Sequence, residues 1–444
     1  MSVKYNKLFK KLSKIDMTPT QLMKAAECSA NILTHLKMND YISMASLEKI
    51  CMVLKCGVDD IMEFQNENER INPNTLKVVS LFSGIGGFEE GLRMAGIEHK
   101  VVFASEIDVA AQKSYAANFD STNLYGDITK INEKDIPDHD LLLAGFPCQS
   151  FSIAGKMKGF EDTRGTLFFD VARILNEKKP KYILLENVKN LINHDHSRTI
   201  RIILSTLNDI GYTVDFTVIN SCEAGVPQNR DRTYICGIYN GKVEKYSKDI
   251  RSVKADALKK ELNEIDYKGF NFFNSVSFCN THKHIMDILE DKVEDSFYFN
   301  SDAIKQYLKE KQFADVDQVD DRIIKLFDLP REVHNDLERQ RRVYSVKGIS
   351  PTVLARADST KIYVMKNGEK AIRKITAVEN FYIQGFSEEF VNNIKQIGTS
   401  NTQMYKQSGN AVSPPVIEGI TKQIAVNYYI PGKENYEVES KYEV

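Results

Sequence analysis

The chain has 444 residues, 42% hydrophobic and 27% charged, with a formal net charge of −2. That length holds two or three domains, and the composition is that of a globular protein with a large core. The charge excludes a generally cationic nucleic-acid coat, although a local basic surface is enough to bind phosphates. No apolar run reaches the eighteen or so residues of a membrane helix, and the N-terminus lacks a signal-peptide core, so a cytoplasmic location is expected. Seven cysteines, at 28, 51, 56, 148, 222, 236 and 279, make no Cys-x-x-Cys pair and no zinc pattern with histidine. No metal is expected, and the odd count suits a reducing compartment.

The first sixty-odd residues read as a helical unit. Tyr5 to Ile15 is amphipathic, with Leu8, Phe9 and Leu12 inward. Thr18-Pro19-Thr20-Gln21 predicts a helix start, with Thr18 as N-cap, Pro19 at the first position and Gln21 completing a capping box. Ser29 is expected to cap a third helix over 30–38. Ser43 begins a fourth with Leu47, Ile50 and Leu54, which Gly57 is expected to end; 58–64 adds a last helical turn. Two short helices joined by a tight turn inside such a unit are helix-turn-helix geometry, and the spacing resembles the Cro/CI-type repressor family. Ser29, Asn31, Thr34, His35 and Lys37 are expected on the exposed side of the recognition helix. Residues 1–58 hold nine lysines against four acids. Residues 1–64 are thus a candidate reader of operator DNA, able to dimerise. The competing reading is a helical packing or dimerisation module.

Residues 65–75 are polar, contain Pro73 and read as a linker. From Leu76 strands and helices alternate, which predicts a parallel sheet with helices on both faces. Leu76 to Phe82 is a strand, Ser83 to Gly87 a glycine turn, and Phe88 to Ala95 a helix. Strand, glycine turn and helix form a nucleotide-type cradle, because a residue without Cβ lets a ligand approach the backbone. The next strand ends at Glu106, about twenty residues on, where an acid accepts ribose hydroxyls. Ile107 and Phe82 are candidates to pack on an adenosine, with a structural place in the core as the competing reading. Asp127 is placed to accept from an adenine amino group. No Gly-Lys-Ser/Thr follows the glycines, so the ligand expected is an adenosyl group without phosphates.

Asp140 to Ala144 is a buried strand, and Gly145-Phe146-Pro147-Cys148-Gln149-Ser150-Phe151-Ser152 follows at once. A lone cysteine reads by itself as a buried structural thiol. This one lies beyond a strand end, where open α/β sheets carry their chemistry, on a turn stiffened by proline. Further strands are expected over 182–186, 214–220 and 232–238. The rhythm stops near Asn240, and 241–340 mixes Lys, Asp and Asn with short aromatic runs. Helices are expected over 372–384 and 415–427, before a polar tail at 431–444. Arg339 to Lys347 is a second basic stretch.

Ser80 to Leu92, Gly126-Asp127-Ile128, Gly145 to Ser152, Leu185-Glu186-Asn187-Val188, Gln228-Asn229-Arg230-Asp231-Arg232 and Gln407 to Val412 occur in this order. The series resembles the motifs of the DNA (cytosine-5) methyltransferases. The resemblance implies an α/β fold, a Rossmann-like S-adenosylmethionine-dependent methyltransferase sheet over 76–430, with an inserted target-recognition region at about 241–340, behind an all-α helix-turn-helix domain at 1–64. It implies Cys148 as nucleophile, Glu186 on the cytosine ring, Arg230 on the cytosine carbonyl and holding Glu186, and Arg232 near the base. Phe82, Gly84, Gly86, Glu106, Ile107, Asp127, Pro147 and Asn410 are the expected binders of S-adenosylmethionine, Asn410 from a turn that returns to the site. The partner implied is double-stranded DNA, the methylase monomeric and belonging to a restriction-modification system. The loop from Gln149, hinged at Gly155 and Gly159, would close over a flipped base. Two alternatives are a tRNA cytosine-5 methyltransferase, although the Cys-Phe-Thr signature is absent, and a DNA-binding regulator with a vestigial methylase.

Overall fold

The computed structural model describes residues 2–15, 17–38, 41–65, 75–147, 167–278, 281–311, 318–357 and 360–427. Cys148, the loop beyond it to Thr166, Cys279, most of the linker and the C-terminal tail lie outside the described residues. The chain divides into two units, Met1–Asn74 and Thr75–Val444.

In the N-terminal unit, β1 (Ser2–Lys4) precedes α1 (Asn6–Lys14), α2 (Pro19–Ala25), α3 (Ala30–Met38) and α4 (Met44–Leu54), and β2 (Glu63–Gln65) ends it. The start of α2 is the one expected: Thr18 Oγ1 accepts from Gln21 N at 3.3 Å, and Gln21 Oε1 accepts from Thr18 N at 2.8 Å. Leu8, Leu22, Leu36, Leu47 and Ile50, drawn from all four helices, make its core. The unit is not all-α. β1 and β2 pair antiparallel, Val3 opposite Phe64, a ladder too short to leave an alternating pattern in the sequence. This ladder also replaces the helical turn expected over 58–64, of which only Val58–Asp60 is helical, as a 3₁₀ turn. Nor does Gly57 end α4. Lys55 does, in the left-handed conformation at φ +49°.

The second unit opens with β3 (Leu76–Leu81), α5 (Gly87–Met94), β4 (His99–Ser105), α6 (Val109–Ala116), β5 (Leu124–Tyr125), β6 (Leu141–Gly145), α7 (Leu167–Lys178), β7 (Tyr182–Val188), α8 (Arg198–Ile210) and β8 (Tyr212–Asn220). β9 (Gln228–Asn229), β10 (Asp231–Tyr239), α9 (Val253–Leu262) and α10 (Asp302–Glu310) follow. Then come β11 (Lys325–Asp328), β12 (Arg342–Tyr344), β13 (Ser350–Pro351), β14 (Lys361–Lys366), β15 (Glu369–Lys374), α11 (Ala377–Gln384), α12 (Glu388–Gln396), α13 (Asn401–Asn410) and α14 (Pro414–Asn427). Seven strands form one sheet in the order β5-β4-β3-β6-β7-β10-β8. The sheet is parallel as expected except at β10, which runs antiparallel to both neighbours. Alternate residues face opposite layers. Leu142, Ala144, Ile183 and Leu185 pack under α7 and α8, while Leu141, Leu143 and Leu184 pack under α5 and α14. Gly91 allows this second contact, because a Cβ there would sit 2.4 Å from Ile417 Cβ.

The interval after β10 is two things. Its first part stays on the large sheet: α9 inserts Lys259 Nζ between Asp215 Oδ1 (2.7 Å) and Asp249 Oδ2 (2.9 Å), all three buried. A separate four-stranded sheet, β11-β12-β14-β15, runs on to Lys374, beyond the expected limit near residue 340. The helix expected from Ile372 therefore starts at Ala377, where Thr376 Oγ1 accepts from Glu379 N. β13 pairs with β9 of the core, Ser350 beside Gln228.

Candidate active site

Strand order sets the place. The chain leaves β3 toward β4 and β5 on one side, and β6 leads to β7 and β10 on the other. Such a switch point opens a crevice at the carboxyl ends of the strands. A cavity of about 1040 Å³ lies there. This is at the top of the roughly 300–1,000 Å³ range for one small ligand.

On the β3-β4-β5 side, the backbone turns sharply. Phe82 adopts φ +56°, a left-handed conformation costly for a bulky residue, and Gly84 follows at φ +57° with open space where a Cβ would be. Glu106 braces this turn: its Oε2 accepts from Gly84 N at 2.9 Å and its Oε1 from Asp108 N at 2.7 Å. Phe82, Gly84, Glu106, Ile107 and Asp127 all line the cavity. Asp127, expected from sequence to be free to accept from an adenine, already uses one of its oxygens. Its Oδ1 caps a 3₁₀ turn by accepting from Thr129 N and Oγ1, and these bonds hold its pKa below the usual carboxylate range. Gly86 does not reach the cavity lining. It sits at φ +92°, and a Cβ there would meet the Phe119 ring at 2.2 Å, so its role is in the turn.

On the β6-β7-β10 side are Pro147, Glu186, Arg230 and Arg232. The reversed direction of β10 is what brings Arg232, near its start, beside the end of β7. Arg232 Nε lies 3.1 Å from Glu186 Oε1. Arg230, expected to hold Glu186, does another job: its Nη2 donates to Gly409 O (3.0 Å) and Ala411 O (2.9 Å). It fastens the returning segment at the end of α13, and its Nε and Nη1 make no hydrogen bond among the described residues. Burial pushes the Glu186 carboxyl above its ordinary pKa, against the pull of Arg232 and then Arg230. Asn410 lines the cavity, but as the last residue of α13 and not from a turn.

The sequence reading missed three contributors. Asn187 Nδ2 donates to Phe146 O at 2.9 Å and so fixes the residue before Pro147. Its place next to Glu186 was the available signal. Gln384, buried, donates to Ser408 O at 2.7 Å and accepts from Gln228 Nε2, joining α11 to β9, just before Arg230. Lys406 Nζ and Asp108 Oδ2 make a 2.6 Å ion pair at the cavity lining, 298 residues apart and invisible to local pattern.

The model of the C-5 cytosine-specific DNA methylases matches residues 76–426. The chain belongs to that family. A second model, the Cro/C1-type helix-turn-helix DNA-binding domain, matches residues 7–67. Among relatives of the methylase, the type II methyltransferase M.SsoII of Shigella sonnei is 39% identical over 81% of this chain and 81% of its own. Orphan methyltransferase M.SPRI of Bacillus phage SPR is 33% identical over 80% of this chain and 98% of its own. In fold, the methylase is similar to the Dnmt2 methyltransferase of S. pombe, with TM-score 0.54 and 19% identity, over 80% of this chain and all of that one. Among the described residues of the methylase, no helix is long and apolar enough to cross a membrane.

Proposed function

We propose that this methylase transfers a methyl group from S-adenosylmethionine to carbon 5 of a cytosine flipped out of duplex DNA. The observation that carries the reading is one cavity shared by Glu106 and Asp127 on one side and the Glu186–Arg232 pair on the other. The lining fits an adenosyl donor: carboxylates for ribose and adenine, the Phe82 and Ile107 side chains for the ring, and no lysine-bearing phosphate loop. Bound there, the cofactor supplies an electrophilic methyl on a sulfonium.

The chain does the rest. Cys148, next after Pro147, attacks carbon 6 as thiolate and makes carbon 5 nucleophilic. Glu186, whose pKa burial raises above its ordinary value, donates to ring nitrogen 3 as charge builds there. Arg232 orients that carboxyl and reaches the cytosine carbonyl. Arg230 holds the Gly409–Ala411 segment against the site.

The target-recognition region is the second, smaller sheet and the loops before it, about 281–374. The N-terminal unit reads operator DNA through α3, where Ser29, Asn31 and Thr34 are exposed and His35 is half-buried, bonded to Asn31. It works as a dimer regulating transcription, within a restriction-modification system in the cytoplasm. A tritiated-methyl assay tests the catalytic reading: duplex DNA labels at cytosine carbon 5. Label in tRNA alone, or in neither substrate, overturns it.

A further inference from the structure

The N-terminal unit holds a feature that neither methyl transfer nor DNA reading uses. At the end of α4, Cys56 N donates to Cys51 O at 3.1 Å and Lys55 N to Met52 O at 3.3 Å, with Lys55 at φ +49°. This pair of bonds around a left-handed residue is the Schellman motif, whose geometry brings the side chains at its two ends together. An apolar pair usually occupies those positions. Here they are two thiols, those of Cys51 and Cys56, joined through the backbone by the 3.1 Å bond. Both cysteines are half-buried, and both line one surface groove of about 460 Å³ with Met44, Glu48 and Gly57, so a small reagent can reach them. A disulfide needs Cα atoms roughly 4.4–6.8 Å apart, a separation that a backbone hydrogen bond between the two residues favours.

We propose that Cys51 and Cys56 form a reversible disulfide site, written by small-molecule disulfides and erased by thiols, that couples the stability of the N-terminal unit to thiol redox state. The reaction is exchange. The Cys56 thiolate attacks one sulfur of the small disulfide and expels a thiolate. The Cys51 thiol then loses its proton and attacks the mixed disulfide, so one protein S–S bond forms and two small thiols leave. The same bond closes whichever of the two thiolates attacks first. The link closes a ring across Met52 to Lys55 and clamps the end of the helix whose Leu47, Ile50 and Leu54 support α2 and α3. A core of this size is marginal, so one crosslink matters. Disulfides in reducing compartments are usually transient and redox-sensing, as such a site would be.

The test uses the full-length protein equilibrated in glutathione buffers from fully reduced to fully oxidised, then blocked with an alkylating agent. Trypsin cuts after Lys49, Lys55 and Arg70, so the link joins peptides 50–55 and 56–70 and is read by mass. The linked pair is expected before any other cysteine pair forms, with amide hydrogen exchange over residues 44–61 slowed about threefold or more. Cys51→Ser and Cys56→Ser should each abolish both effects. Separate glutathione adducts on the two cysteines, a pair that stays reduced in glutathione disulfide, or a link that leaves exchange unchanged overturns the proposal.

Discussion

Glu186 carries the most specific chemical demand on any one residue of the methylase. In the proposed reaction its carboxyl donates a proton beside two arginines, and burial raises its pKa above the ordinary value. Glu186→Ala should reduce single-turnover methyl transfer by about 10²–10⁴-fold, the usual range for a positioned acid. Glu186→Gln keeps a donor but cannot titrate. The wild-type pH–rate profile should fall at high pH as Glu186 deprotonates, and the Gln variant should lack that fall; an unaltered profile would remove Glu186 from proton donation. Glu89 is a second buried carboxyl, in the first turn of α5, with Tyr115 Oη 3.3 Å from its Oε1. Burial raises its pKa to about 7. The folded state therefore binds more protons than the unfolded one between about pH 4.5 and 7, and this group's contribution to stability falls as pH rises through that window. Glu89→Gln should raise the melting temperature at pH 8 and change it little at pH 5, as scanning calorimetry would show. Residue roles were partly legible. The Gln-x-Arg-x-Arg pattern marked both arginines, but only the reversed strand decides that Arg232 and not Arg230 meets Glu186.

At the scale of elements, the join of β8 and α9 shows what long-range pairing adds to local pattern. Asp215 faces Lys259 across the layer, and Asp215 Oδ2 also accepts from Phe272 N and Phe273 N at 2.8 and 2.9 Å. Asp249 completes the cluster. Lys259→Met leaves two buried carboxylates without their cation and should destabilise the methylase by about 3–5 kcal/mol in urea unfolding. A loss under about 1 kcal/mol would mean that water reaches the cluster. Nothing in the spacing of these residues announced the contact, and so 241–340 read as one insert when its first part belongs to the core. Elements with strong local signals were legible: the Thr18 capping box sits where pattern put it, and the strand expected over 182–186 is present and runs two residues further, to Val188. The β1–β2 ladder was not, because three-residue strands carry no periodicity.

For the whole molecule, the division at residue 74 lets a truncation test whether methylation needs the N-terminal unit. Removing residues 1–70 should leave methylation of short duplexes within about twofold of the full chain. It should also abolish a salt-sensitive, operator-specific shift in a gel assay. An inactive but folded truncation would make the N-terminal unit a working part of the methylase. In the proposed mechanism, chemistry at this cavity passes through a covalent bond to Cys148. Duplex DNA carrying 5-fluorocytosine at the target site tests it, because fluorine blocks the proton loss that frees the enzyme. With S-adenosylmethionine present, the wild type should give a denaturant-stable protein–DNA adduct whose crosslinked peptide contains Cys148. Cys148→Ser should bind the same duplex and give none. An adduct that persists in the serine variant, or one that maps to another residue, would contradict the account.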